Sequence, residues 1–384
     1  MLNSNVNHYG TLLSKSHLTL PFVHRVQTGN KTIRMASFIF ICIQITGLTA
    51  SAATFDQVHH IDGGKNNLRG SIKSINRQEI VIESNGGLER TVAVNEVAYV
   101  EFKNDPVELR AARRDMFSGN FRGVLEKLDK IDKPSINQPN LIAEIDFYEA
   151  LAIARLALTG DDEHGDQKAA ASKVVGFRKK HKNSFHYYDA VEMLGELAKT
   201  LELWPAANKF YKDLESAPWP DVKLQAIVLQ GNAMVAQGEF NKALEFFERV
   251  RNDQTESGPL VDRQRQLATV GVIYCHGHLS REDAEKGITV AADVLKIASE
   301  SDFQLLGRLY NALGVCYSKS GQPKDAILSF LKTDILFPQE RETHAEALYR
   351  LAPLWDNINR KDRALRARSS LKTMYPESKW AKLL

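Results

Sequence analysis

The chain has 384 residues, 43% hydrophobic and 25% charged, and its 50 Lys/Arg against 47 Asp/Glu leave a formal net charge of +3. That balance excludes an intrinsically disordered chain and gives no strong signal for nucleic acid. No phosphate loop, dinucleotide fingerprint, CxxC pair, nucleophile elbow or HExxH motif is present, so no common catalytic or metal-binding family is marked.

The first predicted element is an apolar run over residues 36–48, with Lys31 and Arg34 before it and Ala50-Ser51-Ala52 after it. A basic flank, a short apolar core and a small-x-small exit describe a secretory signal peptide cut near Ala52. The run is too short for a permanent membrane anchor. Cys42 lies inside it with no small residue before it, which argues against lipoprotein processing. Residues 1–52 therefore read as a leader, and the mature chain as exported, periplasmic or extracellular. Residues 1–34 are assigned no structure, and His59-His60 fall in a loose polar segment opening the mature chain.

A β pattern follows. Leu68–Ile72 alternates around Gly70, and Glu79–Glu83 is a strand leading to a hairpin turn at Asn85-Gly86-Gly87. Thr91–Val94 and Val97–Phe102 complete four β segments. Residues 53–104 thus form a small all-β domain that resembles an SH3-like or Sm-like barrel and is expected to cap the first helix pair. Sm-like barrels bind RNA, so the alternative function is a nucleic-acid-binding protein that uses this domain and the basic helices.

From Asp105-Pro106 the period changes to that of helices. Ala111-Ala112, Gly119 and Leu125/Leu128 mark one helix pair, and the runs 141–158 and 169–177 a second. Leu194-Gly195 is followed by Ala207 and Tyr211, Gly231 by Gly238, Ala243 and Phe247, and Gly271 by Tyr274. Ala312-Leu313-Gly314 leads to Tyr317, Gly321, Ala326, Phe330 and Pro338; Leu351-Ala352 leads to Ala364 and Tyr375-Pro376. A small residue at 195, 231, 271, 314 and 352 recurs at spacings a few residues longer than the ~34 of a strict repeat. This pattern resembles the tetratricopeptide (TPR) family, and the turns at 181–185 and 375–381 resemble those of exported bacterial TPR proteins. The resemblance covers about residues 105–384 and implies a right-handed α-solenoid of about six or seven TPR-like helix pairs, because one pair cannot bury its own apolar face.

Few residues suggest other chemistry. Cys275-His276-Gly277-His278 is the nearest approach to a metal site, but adjacent Cys275 and His276 diverge by about 100° on a helix. A helix end with solvent-facing His is the reading adopted, and no metal or cofactor is expected. Asp161-Asp162-Glu163 and Asp166 read as a solvated loop. Cys275 and Cys316 fall in helix A of successive repeats, as buried thiols or a bridge. Arg178–Lys182 suits a helix C-terminus. The basic segment Arg360–Leu384 reads as the charged face of a capping helix, with an anionic envelope polymer or lipid as its alternative partner.

The TPR resemblance also implies a concave groove lined by helix A. Carried over from the aligned glycines, it holds Asp189, Glu192, Glu196 and Lys199, then Gln225, Val228, Asn232 and Val235. Arg265, Val272, Cys275 and His276 come next, then Arg308, Asn311, Val315 and Lys319. Pro353 is expected to interrupt the last helix A. The groove is acidic first and basic later, which suits an extended peptide. Asn232, Arg265, Arg308, Asn311 and Lys319 are the candidate protein-binding residues. The paired Lys and Asn of carboxylate-clamp TPRs are not reproduced. The function implied is a noncatalytic protein–protein interaction scaffold of the bacterial cell envelope, with a protein or peptide partner.

Overall fold

The computed structural model describes residues 55–64, 66–161 and 163–384; the apolar run at 36–48 and its flanks lie outside them. The described chain opens with an antiparallel sheet of β1 (Asp56–His60), β2 (Leu68–Ile75), β3 (Glu79–Glu83), β4 (Glu89–Ala93) and β5 (Val97–Glu101), in the order β4-β3-β2-β1-β5. Alternation sets its faces: Ile80 and Ile82 of β3 point inward, and Val58, Val92 and Val100 complete the buried side. Gly70 permits the close approach of β2 to β3, since a Cβ there would lie 1.9 Å from the Glu83 carbonyl oxygen. His59-His60 are not a loose tail. They end β1, which lies between β2 and β5, and Asp56 at its start accepts from the backbone N–H groups of Ile72 and Lys103, each at 2.8 Å.

Helices follow as antiparallel pairs. They are α1 (Val107–Phe117) with α2 (Phe121–Leu128), α3 (Pro139–Thr159) with α4 (Gln167–Lys180), and α5 (Tyr187–Thr200) with α6 (Trp204–Glu215). Next come α7 (Pro220–Ala236) with α8 (Phe240–Arg251), and α9 (Pro259–His276) with α10 (Arg281–Ile297). Last are α11 (Phe303–Ser320) with α12 (Pro323–Leu336), α13 (Arg341–Asn357) with α14 (Lys361–Met374), and the short α15 (Lys379–Lys382). Local chemistry sets many of these boundaries. Asn120, Asp166 and Asp302 accept from the first-turn amides of α2, α4 and α11, and Ser280 with Asp283 forms a capping box on α10. Gly321, at φ 80, ends α11 in the left-handed conformation. Pro353 does not interrupt α13, which runs through it.

Odd-numbered helices pack on one another as well as on their partners, as in α3–α5, α7–α9, α9–α11 and α11–α13. Even-numbered helices pack on the odd-numbered helices before and after them. The odd-numbered helices are therefore the inner layer of a curved solenoid, which is the helix-pair architecture of TPR proteins. Within pairs, large rings fill the space opposite glycine. A Cβ on Gly195 would lie 2.3 Å from Tyr211, and one on Gly231 or Gly314 would lie 2.7 Å from Phe247 or Phe330. Phe247 also covers Gly271 of the next pair at 2.7 Å. One contiguous core runs from Val58 in the sheet to Leu197 in α5, so the sheet is fused to the first helices. At the far end, Glu377 comes over Gly160, where a Cβ would meet its Cγ at 2.2 Å, so the C-terminal segment reaches the turn after α3.

Cys275 and Cys316 are free thiols, both fully buried, and Cys316 Sγ donates to the Ile273 carbonyl oxygen at 3.2 Å. Burial pushes both thiols up to about 12. Neither is expected to react with an aromatic disulfide reagent in mildly alkaline buffer until denaturant is added. Rapid labelling of the native chain would contradict this packing.

Candidate functional site

On α5, Asp189, Glu192 and Glu196 recur at helical spacing on the face opposite Val191, Leu194 and Leu197, which are in the core. Four structures surround that acidic face. Arg155 of α3 reaches Glu196 (3.2 Å), and Gln225 of α7 donates to Glu192 (3.0 Å). Tyr211 of α6 lies behind, over Gly195. The chain linking β4 to β5 forms the roof, and its Asn95 donates from Nδ2 to Asp221 of α7 at 2.9 Å. Two adjoining cavities result. One of about 190 Å³ is lined by Asn95, Tyr188, Asp189, Glu192, Trp219 and Asp221. The other, about 210 Å³, is lined by Ala98, Phe117, Tyr148, Arg155, Asp189 and Glu196.

Electrostatics distinguish Glu192 within this crevice. Burial, then the neighbouring Glu196 and Asp189 carboxylates, push its carboxyl up to about 7, against the pull of Arg155 and Gln225. The Tyr211 hydroxyl, in a side chain with no exposed surface, has no hydrogen-bond partner. Burial and the same two glutamates, Glu196 and Glu192, raise it above the ordinary phenol range.

Behind the crevice lies a buried ionic network. Arg113 of α1 pairs with Asp105 and, at 2.9 Å, with Glu144 of α3. Glu144 in turn meets His186 Nε2 at 2.7 Å, and His186 Nδ1 faces Asp189 at 3.1 Å. The His186 ring stacks on Phe147 at 3.6 Å. Burial opposes charge on His186, but Glu144 and then Asp189 raise it above the usual imidazole range. Despite the same cost of burial, His186 and then Arg113 hold Glu144 below the usual carboxylate range.

A second network ties the inner helices at the other end. Tyr274 of α9 donates to Glu346 of α13 (2.6 Å), which also accepts from Arg350 Nε (2.8 Å) and Asn311 Nδ2 (3.2 Å). Arg350 also donates to the Tyr274 hydroxyl at 2.9 Å. His278 is therefore not solvent-facing: it stacks on Phe240 at 4.0 Å and faces Arg350 at 3.4 Å. Burial and the Arg350 charge push it down to about 4. Among the described residues, no three His, Cys, Asp or Glu side chains are grouped to hold a metal ion.

The residues singled out from sequence are dispersed by the structure. Asn311 is 1% exposed and donates from its amide nitrogen to Glu346 and the Thr343 carbonyl, so it is an internal strut rather than a groove residue. Arg265 clamps the segment before α9, donating to the Asp253 carbonyl and Asp262 (2.7 Å each) and to the Glu256 carbonyl. Asn232 and Arg308 are half-buried and Lys319 is exposed. Val228, Val272, Cys275 and Val315 are core side chains, because the register carried over from the aligned glycines places the inner face incorrectly there. The basic inner section is assembled from several elements: Lys379, then Lys199, then Arg308 hold the Glu342 carboxyl below its usual range against its desolvation. Much of the basic C-terminal segment is paired, Arg368 to Asp356 at 2.5 Å, Lys379 to Glu342 at 3.3 Å and Lys382 to Glu377 at 3.2 Å. No helix among the described residues is long and apolar enough to cross a membrane.

No protein-family model and no curated protein matches the chain. Among solved structures, a TPR protein from Parabacteroides merdae is similar at TM-score 0.47 and 14% identity over 72% of this chain and 95% of that one. A Rap protein complexed with competence and sporulation factor gives TM-score 0.49 and 12% identity over 71% of this chain and 78% of that one. PilW, described as a widely conserved type IV pilus biogenesis factor, gives TM-score 0.38 and 13% identity over 61% and 97%.

Proposed function

We propose that this chain, whose paired helices are of the tetratricopeptide type, is a noncatalytic scaffold that holds an extended segment of a protein partner along its inner face. The observation that carries this reading is the inner layer itself. Its odd-numbered helices present carboxylates beside the sheet, at Asp189, Glu192 and Glu196 of α5, and cations at Lys199, one turn beyond them on the same helix, and at Arg308 of α11 further along. A bipolar, curved surface of this kind can set the direction of a bound segment, with specificity from charge and affinity from burial.

The partner is tested by co-purification with the tagged full chain from its native cells. Asp189→Lys and Arg308→Glu on inner helices are expected to abolish recovery of a specific partner. Leu328→Glu, on the outer helix α12 at a 58%-exposed position, is expected to leave recovery unchanged. The opposite pattern would place binding on the outer surface and contradict the reading.

The proposed site of action is the bacterial cell envelope, on the strength of the basic flank, apolar run and Ala50-Ser51-Ala52 exit. Expression of the full chain in a two-membrane bacterium is expected to give a product beginning near Ala53 in the periplasmic fraction. An uncleaved product in the cytoplasm would remove the envelope from the account.

A further inference from the structure

We infer that the cleft between the sheet and the α4–α5 link docks an acidic peptide segment, which buries an apolar side chain in it. The site uses none of the inner-face residues of α5 or α11, so it does not depend on what that face holds. Its cavity of about 490 Å³ is of ligand-pocket size. The buried rings of Phe102 and Phe185 lie deep in it, with half-buried Ile75 and Ala143 beside them. Four exposed side chains, Asn140, Lys179, Lys182 and Asn183, line its mouth.

The charge at that mouth has one sign. Asp146 holds Lys180 at 2.8 Å and His181 Nε2 at 2.7 Å, which fixes the end of α4 and preorganises the link. Lys179 and Lys182, on either side of this clamp, form no ion pair among the described residues. The lining contains one carboxylate, Glu144, which is buried and already taken by Arg113 at 2.9 Å and His186 at 2.7 Å. Unpaired cations over an apolar base are complementary to an anionic ligand with an apolar part.

Two further features favour a peptide. The side-chain amides of Asn140 and Asn183 make no hydrogen bond among the described residues. Each offers a donor and an acceptor, which together match the C=O and N–H of a peptide unit. Nucleic acid fits less well, because bases stack on accessible rings and both rings here are buried.

The test is fluorescence anisotropy of the full chain with a labelled Glu-Glu-Phe-Glu-Glu peptide. Two controls carry Ala in place of Phe, or Lys in place of Glu. The chain is expected to bind the first peptide at least about tenfold more tightly than either control. Lys179→Glu combined with Lys182→Glu should weaken that binding at least about tenfold, and both positions are exposed, so the fold is not at risk. Ala143→Phe, which fills the cavity from α3, should weaken it similarly in a chain that melts like the parent. Arg308→Glu on the inner face should leave it unchanged. Absent binding of the Phe peptide, or binding indifferent to the paired lysine change, would overturn the inference. Equal binding of the Ala peptide would mean charge attraction without the cleft, and would overturn it as well. Tighter binding of oligothymidylate, lost with the same lysine pair, would reassign the cleft to nucleic acid. Peptide binding lost with Arg308→Glu alone would sink the cleft while leaving inner-face recognition standing.

Discussion

Replacing Arg113 by Met is expected to cost roughly 3–5 kcal/mol, the range for removing one partner from a buried ion pair. Arg113 is 2% exposed and is shared by Asp105 and Glu144, themselves 4% and 1% exposed. Met fills similar volume, so the loss is chiefly the charge, leaving two carboxylates in the core that joins sheet, α1 and α3. The sign with pH is determined. In the variant both carboxyls are buried without their cation, and burial already raises Asp105 to about 6 beside Arg113, so the deficit should shrink as pH falls from above that value toward the usual carboxylate range. In the parent, Glu144 is held low by His186 and Arg113, so its contribution is present above the ordinary carboxylate pKa and is lost on acidification through the lowered one. His186 is raised, so its contribution is full below about pH 6.5 and fades as pH rises through the raised value. Chemical denaturation of both chains across this range reads all three effects. A variant as stable as the parent at neutral pH would show that the network contributes little.

Phe247→Ala is expected to cost about 3–5 kcal/mol as a large-to-small core change, and its effect on cooperativity should exceed that of Phe330→Ala. The Phe247 ring fills the space over Gly231 in its own pair and over Gly271 in the next, whereas Phe330 faces Gly314. In a solenoid, stability is approximately a sum of repeat terms and nearest-neighbour coupling terms. Removing Phe247 weakens one of each at the α8–α9 step. The melt of this variant should broaden or split into two transitions, while that of Phe330→Ala should shift without splitting. A single sharp transition in both would mean that the α8–α9 junction is not the point where cooperativity breaks.

The helix pairs were legible because their packing is local. A Gly and a ring one helix apart, as Gly314 and Phe330, or Gly195 and Tyr211, are held in place by one short turn. Strands β2 to β5 were visible in their alternating Val and Ile. β1 was missed because Asp56–His60 carries one apolar residue, Val58, and gains its central place from long-range pairing to β2 and β5. The acidic face of α5 could be listed from spacing, but its enclosure depends on Asn95 and Asp221, 126 residues apart in sequence. Asn311 and His278 were misread for the same reason, since each is claimed by α13, through Glu346 and Arg350.

Recognition along the inner layer is tested most directly by photo-crosslinking in the native cell. The reactive residue is placed in turn at Glu196 and Asn232 on inner helices, and at Leu328 and Leu365 on outer ones. The account expects a discrete crosslinked partner from the inner positions and none from the outer. The same partner captured only from Leu328 and Leu365, with Glu196 and Asn232 silent, would contradict it.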